Sequence, residues 1–457
     1  MLTTSGTRPA PSGTTAEPGH WTLVGDDVRV PLADGSTRRY VDLDTAATSS
    51  AAPAVARAVE AFLPWYSSVH RGAGAKSQHA SARYEEARGL LLQFVGADAA
   101  THQVVFPRNT TEALNILAFR LRLAPDDVVL TTAVEHHANL LPWRRHARLR
   151  TVDVGAHGTF TVDDVVAGLD ASPTPRVLAV TGASNVTGWM PPLAEIAAEA
   201  RRRGVLVVVD AAQLAPHRPI DITTLGVDAV ALSGHKMYAP FGTGALIAPR
   251  RLFRDGEPLM VGGGAVSAVS WDEVVWSDGP EREEAGSPNV LGVVALAAAV
   301  RDMQRQGWTA IAEHEAALVA ALDRELATVP GLVRLGPTGT ASLLPVAAFT
   351  LPGTPHGLLA ARLSAEWGVG VRSGCFCAHP YMGRLLGLSP TDVESFHDDV
   401  RAGRRDRVPG AVRASANRGT RLDDVAVLGQ ALRAIAATPE LDRRYHLGPH
   451  GYAAPTG

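Results

Sequence analysis

The chain has 457 residues, 46% of them hydrophobic, which is enough to bury a large core and to form two or three domains. Its net charge is −3 with 19% charged residues, leaving no overall field for nucleic acid or a membrane surface, and no apolar run reaches transmembrane length. The two cysteines, Cys375 and Cys377, are too few and too close for a disulfide framework, so a reducing compartment, the cytoplasm, is the expected location.

Residues 1–20 are rich in Thr, Ser, Pro and Gly and lack an apolar h-region, so a disordered tail is expected rather than a signal peptide. Pro53–Trp65 predicts a helix with proline near its start. The glycine-punctuated loop Val69–Gly74 carries His70 and Arg71, which by themselves read as polar loop surface, and Ser81–Val95 has helical spacing. Val104–Phe106 predicts a strand. Asn109–Thr111 then caps a helix running towards Arg122, and its free N–H groups and hydroxyls suit a phosphate as well as they suit a plain N-cap. Asp127–Thr132 is the next strand and leads to Glu135-His-His-Ala-Asn139. His136 there can stack on a flat ring and carry a proton; a metal is not expected, because no further close-set ligands accompany the pair. Arg176–Val180 is a strand ending at Thr181-Gly-Ala-Ser-Asn185, and Pro192–Arg203 a helix. This βαβα rhythm predicts an α/β fold with a mostly parallel sheet, right-handed crossovers and helices on both faces.

The stretch Val205–Gly244 is the most informative. Two apolar runs, Val205–Val209 and Ala229–Leu232, read as buried strands, ending in Asp210-Ala-Ala-Gln213 and Ser233-Gly-His-Lys236. In α/β sheets ligands sit beyond such carboxyl ends. Of 43 Lys plus Arg, only Lys76 and Lys236 are lysines, so Lys236 is placed to do what arginine cannot: lose its proton and form an imine. An aldehyde cofactor with a pyridine ring needs that amine, a carboxylate for its ring nitrogen (Asp210) and donors for a phosphate (Ser233, His235). Gln213 and Asn185 can reach the ring oxygen.

Further on, Ala245–Ile247 predicts a strand, Gly262–Gly264 a mobile loop, and a helical stretch runs from after Glu284–Asn289 to about Gln306. Ala310–Thr328 predicts another helix, with strands near Val333 and at Val346–Leu351. Val369–Arg372 is a strand ending at Ser373-Gly-Cys-Phe-Cys-Ala-His-Pro380. The expected division is a large cofactor-binding domain over 21–300, whose N-terminal segment joins the small domain, and a small C-terminal domain over 301–457 bearing the Arg372/Cys377 loop.

Together, Arg108-Asn-Thr-Thr-Glu112, Glu135–Asn139, Ser184-Asn185, Val209–Gln213, Ser233–Lys236, Glu284-Ala-Gly-Ser-Pro-Asn289 and Val371-Arg-Ser-Gly-Cys-Phe-Cys-Ala378 resemble the class V branch of fold-type I pyridoxal-phosphate (PLP) enzymes. The likeness is greatest to the SUF-type cysteine desulfurases and selenocysteine lyases. The resemblance implies that Lys236 holds PLP as an aldimine, Asp210 pairs with the pyridinium and His136 stacks on the ring. Gln213 and Asn185 would lie at its oxygen, and Thr110, Thr111, Ser233 and His235 would hold the phosphate. Ser287 would reach the phosphate of a partner subunit's cofactor, implying a homodimer with shared sites. Arg372 would clamp the α-carboxylate of a small amino-acid substrate, with His70 and Arg71 on the substrate side and Asn185 near it. Cys377 would take sulfur from L-cysteine, or selenium from a related amino acid, as a persulfide and pass it to an acceptor protein. The alternative activities are a C–S β-lyase, an epimerase or an aminotransferase-like enzyme. Cys375 and the long connection from Cys377 to Arg413 depart from the family pattern, and that connection is expected to form a lid or a docking surface.

Overall fold

The computed structural model describes residues 21–339, 342–404, 408–448 and 451–453; the expected tail at 1–20 lies outside them. The central sheet has seven strands: β1 (His102–Val105), β2 (Val128–Thr132), β3 (Arg148–Val152), β4 (Val177–Thr181), β5 (Leu206–Asp210), β6 (Ala229–Ser233) and β7 (Gly244–Pro249). Their order is β1-β7-β6-β5-β4-β2-β3, with β7 antiparallel to both neighbours and every other pair parallel. The middle strands are apolar on both sides because both faces are covered. Alternation sends Leu130, Val180, Val207, Val209 and Leu232 to one face, under helices Ala75–Phe94, Val162–Asp170, Leu193–Arg202 and Val290–Gln306. Val129, Ala179, Val208 and Ala231 go to the other, under Thr110–Arg120 and Leu141–His146. This is the fold-type I α/β architecture expected.

Parallel strands deliver their carboxyl ends to one edge. Thr132, Thr181, Asp210 and Ser233 end β2, β4, β5 and β6 there, with Asp210 in register with Thr181 on one side and Ala231 on the other. The sheet thereby does the first work of building a site.

A second, antiparallel sheet runs in the order Val333–Leu335, Val346–Thr350, Ala411–Ser415, Arg372–Gly374. Its apolar cluster draws on helices Trp308–Ala327, His356–Trp367 and Leu422–Ala437, and Val41 and Leu43 join it from the other end of the chain. The single strand expected at Val369–Arg372 divides in two. Val369–Gly370 pairs with Val41–Asp42, and Arg372–Gly374 joins the antiparallel sheet, so the backbone steps between two ladders just before Cys377.

The elements not foreseen include one hairpin and two helices near the site residues. A hairpin, Val266–Val269 with Val274–Trp276, follows the irregular Gly262–Gly264 loop. Helices His379–Leu385 and Pro390–Arg401 occupy the long connection, the second opened by a Ser389/Asp392 capping box.

Candidate active site

At the shared strand edge lies a cavity of about 220 Å³. Lys236 enters it from the tight turn Gly234–Lys236 that ends β6, Asp210 from the end of β5, and His136 from the loop after β2. Desolvation pushes the Lys236 ammonium down to about 8, against the pull of Asp210. Burial raises the Asp210 carboxyl, while the Ala212 N–H donating to its Oδ1 at 2.9 Å and the Lys236 charge pull it back. His136 is pushed down to about 4 by burial and then by Lys236, so the imidazole is neutral near pH 7, and its Nδ1 accepts from Ala138 N at 3.0 Å. An amine that can lose its proton, a buried carboxylate and a flat neutral ring thus face one space.

Thr110 opens the helix Thr110–Arg120, which Asn109 caps by accepting from Glu112 N at 3.0 Å. Ser233 Oγ accepts from Thr110 N at 2.9 Å and lies 2.8 Å from Thr110 Oγ1. Thr111 and His235 complete this wall of the cavity. Gly244 on β7 allows the close approach: a Cβ there would sit 2.5 Å from Leu232 O and 2.9 Å from Asn109 Cα. Hydroxyls around a helix N-terminus make a phosphate cradle. Gln213 and Asn185 also line the cavity, each spending an amide hydrogen on a backbone carbonyl: Gln213 Nε2 on Ala46 O and Asn185 Nδ2 on Phe376 O, both at 2.7 Å.

The opposite wall comes from the second sheet. Cys377 is exposed and free and faces the cavity. Arg372 lines it too, its side chain 57% exposed and its Nη1 3.7 Å from Asp44 Oδ2. Arg413 was missed as a site residue; the sequence marks it only as the end of a long connection. It lies in strand Ala411–Ser415, opposite Arg372 in the ladder, with a side chain 3% exposed. It donates to Asn185 O at 2.8 Å and Asp44 Oδ1 at 3.0 Å, its guanidinium sits 5.1 Å from the Phe376 ring, and its buried Nε has no partner among the described residues. The available signal was an arginine inside a short apolar strand.

Cys375 does not share the Cys377 cavity. Its thiol donates to Pro409 O at 2.8 Å and lines a separate, mostly apolar space of about 430 Å³ with His379, Met382 and Phe396. Burial first, then Cys377, pushes its thiol up to about 11. Nor are His70, Arg71 and Ser287 at the Lys236 cavity; all three line another space, of about 780 Å³. His70 has φ 67° and its Nε2 bonds Glu85 Oε1 at 2.8 Å. Glu281 approaches this pair closely enough for three ligand-type atoms to fall within 4.8 Å, but the hydrogen bond already occupies one atom of His70 and of Glu85.

The fold and the Lys236 cavity define a PLP-dependent enzyme of fold type I. The residues fit the cofactor: amine, ring carboxylate, ring-stacking imidazole and phosphate cradle line one space of suitable chemistry. Residues 41–428 match the model of the family described as Aminotransferase class-V, and the chain belongs to that family. It is 36% identical over 359 residues to a probable cysteine desulfurase of Xylella fastidiosa (strain 9a5c), covering 76% of this chain and 84% of that one. It is 38% identical over 352 residues to a cysteine desulfurase of Klebsiella pneumoniae (strain 342), covering 75% and 85%. Among solved structures it is similar to the apo cysteine desulfurase of Thermococcus onnurineus NA1, with TM-score 0.77, 31% identity and coverage of 87% and 95%. The S-sulfonic acid form of the cysteine desulfurase CsdA from Escherichia coli gives TM-score 0.74, 33% identity and coverage of 88% and 95%.

Proposed function

We propose that the protein is a cysteine desulfurase that moves the sulfur of L-cysteine to Cys377 and releases alanine. The carrying observation is that one cavity joins the Lys236–Asp210–His136 set to the exposed Cys377 thiol and to two guanidiniums, Arg372 and Arg413. Bound PLP supplies an aldehyde that holds the amino acid and a ring that draws electrons from its α-carbon. Asp210 would hold the ring nitrogen protonated, and His136 would cover the ring face. Arg413 holds the substrate carboxylate from the buried side and Arg372 from the mouth. Lys236, whose burial favours the neutral amine, takes the proton from the α-carbon. Cys377 attacks the substrate sulfur as the thiolate. The C–S bond breaks, its electron pair stays on the β-carbon, which is protonated, Lys236 returns a proton to the α-carbon to give alanine, and Cys377 carries the persulfide. A thiol acceptor then takes the outer sulfur.

We also propose a homodimer with shared sites, located in the cytoplasm. Its support is the clustering of His70, Arg71 and Ser287 away from Lys236, together with the exposed apolar side chains of Val269 and Trp271 on the unforeseen hairpin. In this reading the N-terminal 21–300 unit carries the cofactor and the 301–457 unit carries the Cys377 loop. The test adds L-cysteine and a reductant to PLP-loaded protein and quantifies alanine and sulfide. Equal catalytic amounts are expected, and Cys377→Ala should abolish the persulfide while leaving the cofactor's visible absorption. Pyruvate accompanying the sulfide would make the enzyme a β-lyase instead.

A further inference from the structure

The Cys377 loop holds an unfavourable backbone. Phe376 and Cys377 have φ of 55° and 54°, a left-handed conformation that is unfavourable for an L residue, so neighbouring contacts must impose it. Two groups do so from the cofactor side. Asn185 Nδ2 donates to Phe376 O at 2.7 Å, and His137 N donates to Cys377 O at 2.8 Å. His137 makes a second hold: its ring Nε2 accepts from His379 N at 3.1 Å, two residues past the thiol. The two imidazoles stack, with centroids 4.9 Å apart and planes 11° from parallel, and His379 stacks in turn on Phe396 of helix Pro390–Arg401 at 5.6 Å.

His137 therefore grips the chain at Cys377 and again at His379, while adjoining His136 in the cofactor wall. Accepting from a backbone N–H requires an unprotonated Nε2, so the ring is neutral with its hydrogen on Nδ1. Burial and the neighbouring His379 both lower the His137 pKa, in keeping with that state. Of the groups acting on the His137 ring, His379 lowers its pKa after burial does, and no carboxylate raises it.

We propose that His137 is a positioning residue for the sulfur-accepting thiol: through its backbone N–H and its ring Nε2 it fixes where Cys377 Sγ stands relative to the cofactor wall. This rests on the reading that Cys377 takes the substrate's sulfur. His137 itself does not line the Lys236 cavity.

The test uses PLP-loaded protein carrying His137→Phe, which keeps a stackable ring without the acceptor, and His137→Gln, which restores an acceptor oxygen at the reach of Nε2. The first readout is independent of turnover: the rate at which iodoacetamide alkylates Cys377, followed by peptide mass spectrometry. The second splits kcat from KM for L-cysteine. His137→Phe is expected to keep the cofactor's visible absorption, to change the Cys377 alkylation rate several-fold and to lower kcat by about 10- to 100-fold with KM nearly unchanged, because misplacement by about 1 Å costs rates of this order. His137→Gln should recover most of both losses. Wild-type alkylation and kcat in His137→Phe would overturn the proposal, as would equal losses in the two variants. Cys377→Ala run alongside separates the readings. If it still yields alanine and sulfide at the wild-type rate, the desulfurase assignment of Cys377 falls, whereas the alkylation data still decide the role of His137.

Discussion

Lys236 shows how much chemistry can sit in one side chain and its burial. Its ammonium, held near 8, is mostly charged at pH 7 and mostly neutral at pH 9, and only the neutral amine attacks an aldehyde. Uptake of PLP by the cofactor-free protein should therefore accelerate as pH rises through about 8 and level off above it. His136, already neutral far below this range, adds no step of its own. Absorbance-detected mixing between about pH 6.5 and 9.5 checks this; a flat profile would mean another group limits uptake. The two arginines should behave differently. Arg413→Lys, at a buried site with fixed partners, is expected to lower kcat/KM by about 10- to 100-fold, in line with losing a bidentate charged contact. Arg372→Lys, at an exposed site, should cost less than about tenfold. Equal effects would reassign the carboxylate clamp. Lys236, Asp210, Ser233 and His235 were legible because each follows an apolar run within a few residues. Arg413 was not, because its approach to Asn185 joins positions 228 residues apart.

Elements were legible where one periodicity ruled. β2, β4, β5 and β6 appear in the sequence as apolar runs because both their faces are buried, and their ends fall within about two residues of the expected places. The split of Val369–Arg372 between two ladders was not legible, since either partner strand accepts the same residues. Glu284 gives an element-scale prediction. Its Oε2 accepts from Tyr84 OH at 2.8 Å and Arg88 Nη2 at 2.7 Å, and its Oε1 from Phe106 N at 2.7 Å and Arg88 Nη1 at 2.9 Å. One carboxylate thus fastens helix Ala75–Phe94 and the end of β1 to the turn that presents Ser287. Glu284→Gln leaves the buried Arg88 guanidinium with only the half-exposed Glu85 as countercharge and should cost about 3 kcal/mol, read from the denaturant midpoint. A shift under about 1 kcal/mol would mean that Glu85, already 3.1 Å from Arg88 Nε, is countercharge enough.

At the scale of the molecule, the two apolar clusters meet at the site. Asp44, Arg413 and Asn185 form one chain of hydrogen bonds across it, and Ala46 N donates to Ser415 Oγ at 2.9 Å beside them. The hairpin carrying Trp271, fully exposed in the single chain, is the feature with the least local explanation. Trp271→Glu is expected to shift the sedimentation of the proposed dimer to that of a monomer and to lower turnover while sparing the cofactor absorption. A monomeric variant with full turnover would refute shared sites. In the sequence the proposed assembly rests only on Ser287 and the family likeness, because an unpaired hairpin looks the same in sequence whether or not a partner covers it.

The scarcity of lysine has a practical corollary for labelling. Lys76, exposed near the start of helix Ala75–Phe94, is the one side-chain amine besides Lys236. Borohydride trapping of the loaded protein should thus place one pyridoxyl group at Lys236 against very little side-chain background, making site occupancy readable by simple stoichiometry. For the same reason, amine-directed crosslinkers and surface couplings will find almost nothing to hold on this protein, and tethering it without blocking the active site calls for chemistry aimed at another side chain.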